Sequence, residues 1–138
     1  MKSDPVAVDT NILIYLHDNS AEIKRNKAIE LTALNPYISS QVISEYLNIC
    51  RRLLKLTKKD LLLQTYKLFA PCPIFPTNPY TLECAGDLIS RYQFQLFDSI
   101  IIAAAIQGSC SILYSEDMQD GLVVDKKLKI INPFEVDL

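Results

Sequence analysis

The chain has 138 residues, nearly half of them hydrophobic, and a formal net charge of −2. That is room for a single domain, 1–138, with a proper core, and three glycines with no low-complexity tract argue against long disordered stretches. A protein that coats duplex nucleic acid is normally basic, and no apolar run approaches the roughly 20 residues of a membrane span. The opening "MKSDPVAVDTN" lacks a signal peptide's apolar stretch, so a soluble, cytoplasmic protein with no membrane partner is expected. The four cysteines, at 50, 72, 84 and 110, form no CxxC pair, and the single histidine, His17, has no cysteine near it. They read as small apolar core residues, not as a zinc site or a disulfide framework.

In chain order, "PVAVDT" is a short apolar run that meets an acid, a buried strand ending at Asp9. "NILIYLHD" follows with helical spacing. "SAEIKRNKAIELTAL" predicts a helix capped by Ser20, with Ile23, Ala28, Ile29, Leu31 and Leu34 facing the core. "NPYISS" marks a turn and a second strand. "QVISEYLNICRRLL" predicts a helix with an apolar stripe at 42, 43, 46, 47, 50, 53 and 54, and Glu45 lies off the centre of that stripe, toward water or a groove. "TKKDLLLQTYKLF" starts with a capping-box-like Thr57 and Asp60 and carries Leu61, Leu62, Tyr66 and Phe69 as its apolar positions. The prolines of "APCPIFPTNP" end it and leave "IF" as an edge strand. Pro79 restarts a helix. The next helix runs from about Phe97 to Gln107, with Asp98 suited to capping it and Gly108 as its C′ residue. "CSILYSED" is a strand that runs into acids, and "KLKIINPF" a last short strand closed by Asn132-Pro133. Alternation of this kind predicts an α/β domain with a mainly parallel sheet.

In open parallel sheets, ligands bind beyond the carboxyl ends of the strands. Asp9 ends the first strand, Glu116 and Asp117 follow "ILYS", Asp98 opens the helix that feeds that strand, and Glu45 lies one turn into the helix after "YISS". Each acid singly suits a cap, a turn or a solvated face. Together they form a cluster whose members repel unless a cation is present. A hard, oxygen-preferring ion, Mg²⁺ or Mn²⁺, is the simplest one. Such an ion keeps waters, grips phosphate and supports phosphodiester hydrolysis. Basic clusters at Lys24, Arg25 and Lys27, at Arg51, Arg52, Lys55, Lys58 and Lys59, and at Lys126, Lys127 and Lys129 suit phosphate contacts or solvated faces. There is no GxSxG and no P-loop.

At these same residues the chain resembles a known family. "VAVDTNILIYLHD", "ISSQVISEYLN", "YQFQLFDSIIIAAAIQGSCSILYSEDMQDG" and "INPF" are similar, in that order, to the motifs of PIN-domain ribonucleases, above all the VapC toxins of toxin–antitoxin pairs. The resemblance runs from Val6 to Phe134. It implies a three-layer PIN-like α/β fold, a central, mainly parallel sheet flanked by helices. It implies Mg²⁺ or Mn²⁺ held by acids at Asp9, Glu45, Asp98 and Asp117; the expected division has Asp9 and Asp98 binding the principal ion directly and Glu45 and Asp117 acting through water or a second ion. It further implies endoribonuclease activity on RNA, neutralisation by a small antitoxin protein, and a homodimer. Asn11 and Ser115 match residues that fix carboxylates or water. Asp117 takes the metal role in the last motif, with Glu116 beside it and Asp120 as an auxiliary. The helices over about 20 to 69 suit an antitoxin groove, a dimer seam or plain closure of the core.

Two other functions fit less well. A phosphatase using Asp9 as nucleophile would place a second acid two residues on, where this chain has Asn11. A catalytically inactive PIN-like RNA-processing or binding module would lack acids that are all present here.

Overall fold

The computed structural model describes residues 4–135. Strand β1 (Val6–Val8) leads directly into helix α1 (Thr10–Ile14) and a 3₁₀ turn (Tyr15–His17), followed by α2 (Glu22–Thr32). β2 (Ile38–Ser39) feeds α3 (Ser40–Leu53) and α4 (Lys58–Phe69). β3 (Ile74–Phe75), α5 (Pro79–Tyr92), α6 (Leu96–Gln107), β4 (Ile112–Tyr114), β5 (Val123–Val124) and β6 (Leu128–Ile131) complete the order. The main sheet runs β1-β4-β6-β5. β1 is parallel to β4, with Val6 beside Ile112 and Val8 beside Tyr114, and β4 is parallel to β6. Only β5 runs antiparallel, against β6. β2 and β3 form a second parallel pair. A bridge between Ala7 and Tyr37 joins that pair to the other side of β1. The chain therefore leaves β1 on one side and returns as β4 on the other, which opens a crevice at the carboxyl end of β1.

Local chemistry explains the elements. Asn78 and Thr81 form a reciprocal capping box on α5, with Pro79 in its first turn. Ser39 caps α3 by accepting from the Val42 N–H at 3.1 Å, and Thr57 caps α4 by accepting from the Asp60 N–H at 3.1 Å. Seven consecutive residues of α6, Ser99 to Ala105, are buried. Such a helix has no solvent stripe and is enclosed on all sides; it lies against α5, α3 and β2. Three cysteines are buried and all four are free, as small core residues should be. No helix among the described residues is long and apolar enough to cross a membrane.

Several expectations are corrected. Ser20 does not cap α2: its N–H and hydroxyl both turn to Asp18 Oδ1, and the cap position is Ala21. On α2 only Ala28 and Leu31 are buried, whereas Ile23, Ile29 and Leu34 are exposed. Ile23 and Ile29 stand about 140° and 100° round the helix from Ala28, and Leu34 falls beyond its end. On α4, Leu61 and Phe69 are buried, but Thr65 takes the inner position between them while Leu62 and Tyr66 face out. Leu53, on the expected α3 stripe, is also exposed. The left-handed residue after α6 is Ser109, with φ 56°, not Gly108. Gly108 has φ −79° and is needed for space: a Cβ there would lie 2.2 Å from Phe75 Cε2 and 2.9 Å from Tyr37 Cδ2. The short β5 went unrecognised. It turns into β6 through Asp125 and Lys126, both at positive φ, as the tight hairpin turn requires.

Candidate active site

A cleft of about 530 Å³ opens at the crevice beside β1, and Asp9, Glu45, Asp98 and Asp117 all line it. Each comes from a different element. Asp9 is the residue between β1 and α1, with extended backbone (φ −82°, ψ 164°), so its side chain turns back over the first helical turn. Its Oδ1 accepts from the Thr10 N–H at 2.7 Å. Its Oδ2 accepts from the Ser115 hydroxyl at 2.8 Å and from Asn11 Nδ2 at 3.3 Å. Ser115 is wholly buried at the end of β4. Its Oγ also accepts from the Met118 N–H at 3.2 Å, so the proton must point at Asp9.

Asn11 ties two acids together. Its Oδ1 accepts from the Glu116 N–H at 3.2 Å, which fixes the amide's orientation. Its Nδ2 then donates to both Asp9 and, at 3.1 Å, Asp117 Oδ2. Glu45, on the second turn of α3, has both oxygens held, Oε1 by the Thr10 hydroxyl at 2.7 Å and Oε2 by Gln41 Nε2 at 3.0 Å. Asp98 is the third residue of α6, behind a cap position taken by Gln95. It therefore does not cap the helix as expected. It faces the cleft with no hydrogen-bond donor on it among the described residues, and its place near a helix N-terminus favours negative charge.

The electrostatics follow from burial and crowding. Burial pushes the Asp9 carboxyl up to about 6, against the pull of Ser115 and the Thr10 N–H, and the charges of Asp98 and Glu45 push the same way. Asp98 is raised too, first by burial and then by Glu45 and Asp117. Among the described residues no lysine or arginine pairs with any of these four acids.

The two other acids of the last motif differ. Glu116 lines the cleft, yet its Oε1 accepts from the Tyr15 hydroxyl at 2.6 Å and its Oε2 from Lys24 Nζ at 2.5 Å. Burial would raise its carboxyl, but Lys24 and Tyr15 outweigh that and hold it below the usual range. Asp120 stands apart from the cleft lining, and its Oδ1 accepts from the Asn132 N–H at 2.8 Å. It braces the end of β6. Thr10, Gln41, Tyr15 and Lys24 went unrecognised as members of this network. Thr10, next to Asp9 in "DTN", and Lys24, in a basic cluster expected to meet phosphate or water rather than Glu116, carried signals in the sequence.

An α/β domain with an acid-lined cleft at the turning point of its sheet defines the class. The chain belongs to the PIN domain family, whose model matches residues 6–119. Similar solved structures include a toxin–antitoxin complex from Klebsiella pneumoniae, 21% identical with a TM-score of 0.70, covering 96% of this chain and 99% of that one. VapBC2 from Rickettsia felis, bound to a DNA fragment from its promoter, is 20% identical with a TM-score of 0.63, covering 91% and 96%. VapC20 of Mycobacterium tuberculosis, a sarcin-ricin loop cleaving toxin, is 17% identical with a TM-score of 0.64, covering 81% and 89%. Among curated proteins none matches the chain. The fold is the three-layer PIN arrangement expected from the motifs.

Proposed function

We propose that the chain is a metal-dependent endoribonuclease, the toxin of a toxin–antitoxin pair, working with Mg²⁺ or Mn²⁺. The observation that carries this reading is the convergence of Asp9, Glu45, Asp98 and Asp117 on one cleft with no basic side chain among the described residues to neutralise them. Among the described residues no three acids, histidines or cysteines stand close enough to enclose an ion unaided. An ion that takes one or two carboxylates directly and keeps several waters suits such an open set. Asp9 and Asp98 are the proposed direct ligands, with Glu45 and Asp117 acting through water or on a second ion. When bound, the ion supplies positive charge for a phosphodiester's oxygens and lowers the pKa of water.

The chain's own residues do the positioning. Ser115, the Thr10 N–H and Asn11 orient Asp9. Thr10 and Gln41 hold Glu45. The buried run of α6 that begins at Ser99 anchors the helix turn that carries Asp98. RNA as substrate is supported by family membership and by the loop-cleaving relative of the same fold. An antitoxin partner is supported by neighbours solved as complexes and by exposed Ile23, Ile29, Leu34, Leu53, Leu62 and Tyr66 on α2 to α4. A homodimer would draw on the same supply of apolar surface. The test is incubation of the purified chain with total RNA. Cleavage in Mn²⁺, abolished by EDTA and leaving 5′-phosphate ends, is expected; turnover that ignores EDTA, or none with either ion, overturns the reading.

A further inference from the structure

Glu116 is the odd member of the cleft. It is next to Asp117 and lines the same cavity, yet both its oxygens are occupied by protein donors from outside the acidic cluster. Lys24 reaches it from the first turn of α2, 92 residues away in the chain. The ammonium also lies 5.1 Å from the centre of the Tyr15 ring and 5.4 Å from that of Phe134, and these two rings meet edge to face at 5.1 Å. Lys24 is thereby held by a carboxylate, a hydroxyl at 3.3 Å and two aromatic faces. Among the described residues it is the one cation paired with an acid of the cleft lining.

We infer that Lys24 is a positioning residue that acts through Glu116: it neutralises this one of the six carboxylates lining the cleft and fixes its direction, so that an incoming phosphate meets one less negative charge. The inference rests on the nuclease reading of the cleft. Without Lys24, Glu116 keeps only the Tyr15 hydroxyl and becomes an uncompensated charge in the lining of a site that must admit a polyanion. The side chains of Lys24 and Glu116 are 41% and 21% exposed, so solvent screens the pair and the effect is several-fold, not total.

The test compares Lys24→Met, Glu116→Gln and the double variant with the unmodified chain. Two readouts are used: steady-state cleavage of a short single-stranded RNA in Mn²⁺, and equilibrium affinity for the same RNA by fluorescence anisotropy in EDTA. Lys24→Met is expected to raise KM and the dissociation constant about 3–10-fold with kcat little changed. Glu116→Gln should lower both below the unmodified values, because it frees Lys24 beside the cleft. The double variant should recover the loss seen in Lys24→Met. A brace with no electrostatic role predicts the opposite for Glu116→Gln, since breaking it from either side would impair the site. Weaker binding in Glu116→Gln, or no recovery in the double variant, overturns the inference. If the unmodified chain does not cleave in Mn²⁺, the nuclease reading falls, and the anisotropy arm still decides the role of Lys24.

Discussion

Two charged regions of this molecule handle the same chemistry in opposite ways. At a corner outside the cleft lining, Arg91 of α5 forks between Asp87 at 2.7 Å and Asp125 of the β5–β6 turn at 2.6 Å, and the Asp125 N–H is capped by the Tyr92 hydroxyl at 3.0 Å. Both acids there have a cation; Arg91 and Asp87 are exposed and Asp125 is half-buried. In the cleft, Asp9, Glu45, Asp98 and Asp117 have hydroxyl, amide or backbone donors at most, and Asp9 is buried. Hydroxyls and amides orient a carboxylate without cancelling its charge. The difference teaches that the cleft is kept short of positive charge by its surroundings, which is the condition for taking up an external cation.

The largest expected effect breaks that contrast at its centre. Asp98→Asn should reduce RNA cleavage by two or more orders of magnitude, the scale typical for loss of one transition-state-stabilising group. Its thermal midpoint should not fall, because among the described residues no hydrogen bond to Asp98 is lost and the carboxyl removed is one that burial and the charges of Glu45 and Asp117 disfavour. Substantial turnover in that variant removes Asp98 from the site.

Next is Asp9, where pH gives the sign. Its folded pKa, about 6, lies above the ordinary 3.8. Its contribution to stability is therefore full below about pH 4 and is lost as pH rises through 6. Asp9→Asn turns its NH2 toward one of the donors that hold Asp9, so in EDTA it should be the less stable form at pH 4. That deficit should shrink by pH 7.5, because only the unmodified chain loses stability as pH rises through 6. Millimolar Mn²⁺ should raise the melting temperature of the unmodified chain by mass action and leave Asp9→Asn unmoved. Urea unfolding at the two pH values, with and without Mn²⁺, reads all of this; a stability difference between the two forms that is the same at pH 4 and pH 7.5 contradicts the assignment.

A smaller effect tests the packing between the end of α6 and the β2–β3 pair, away from the cleft lining. Gly108→Ala forces a Cβ against the Phe75 ring and should cost about 1–3 kcal/mol by overpacking, measured as a lower denaturation midpoint. Smallest of all is Arg91→Ala. The corner it joins is solvated, so neither the melting temperature nor cleavage should change measurably. A loss of activity there would show that the two regions communicate.

How much of this was legible before the structure differs by element. β1, α3, α5 and β4 announce themselves because their apolar spacing and caps are local, and the acids follow from where those elements stop. The α2 face was misread because three isoleucine and leucine side chains imitate a stripe that packing uses only at Ala28 and Leu31. β5 is two residues long and has no pattern to read. The roles of Thr10, Gln41, Tyr15 and Lys24 depend on partners distant in the chain, which no spacing encodes.

By itself the sequence determined the alternation of strands and helices and the identity of the four acids. Both depend on side-chain type and on periods of two to four residues. Only the tertiary structure decided which acids are left without a counter-ion. Charge pairing is a matter of distance in space, and Lys24 meets Glu116, not Asp117, because the 3₁₀ turn and α2 bring it across to that carboxylate alone.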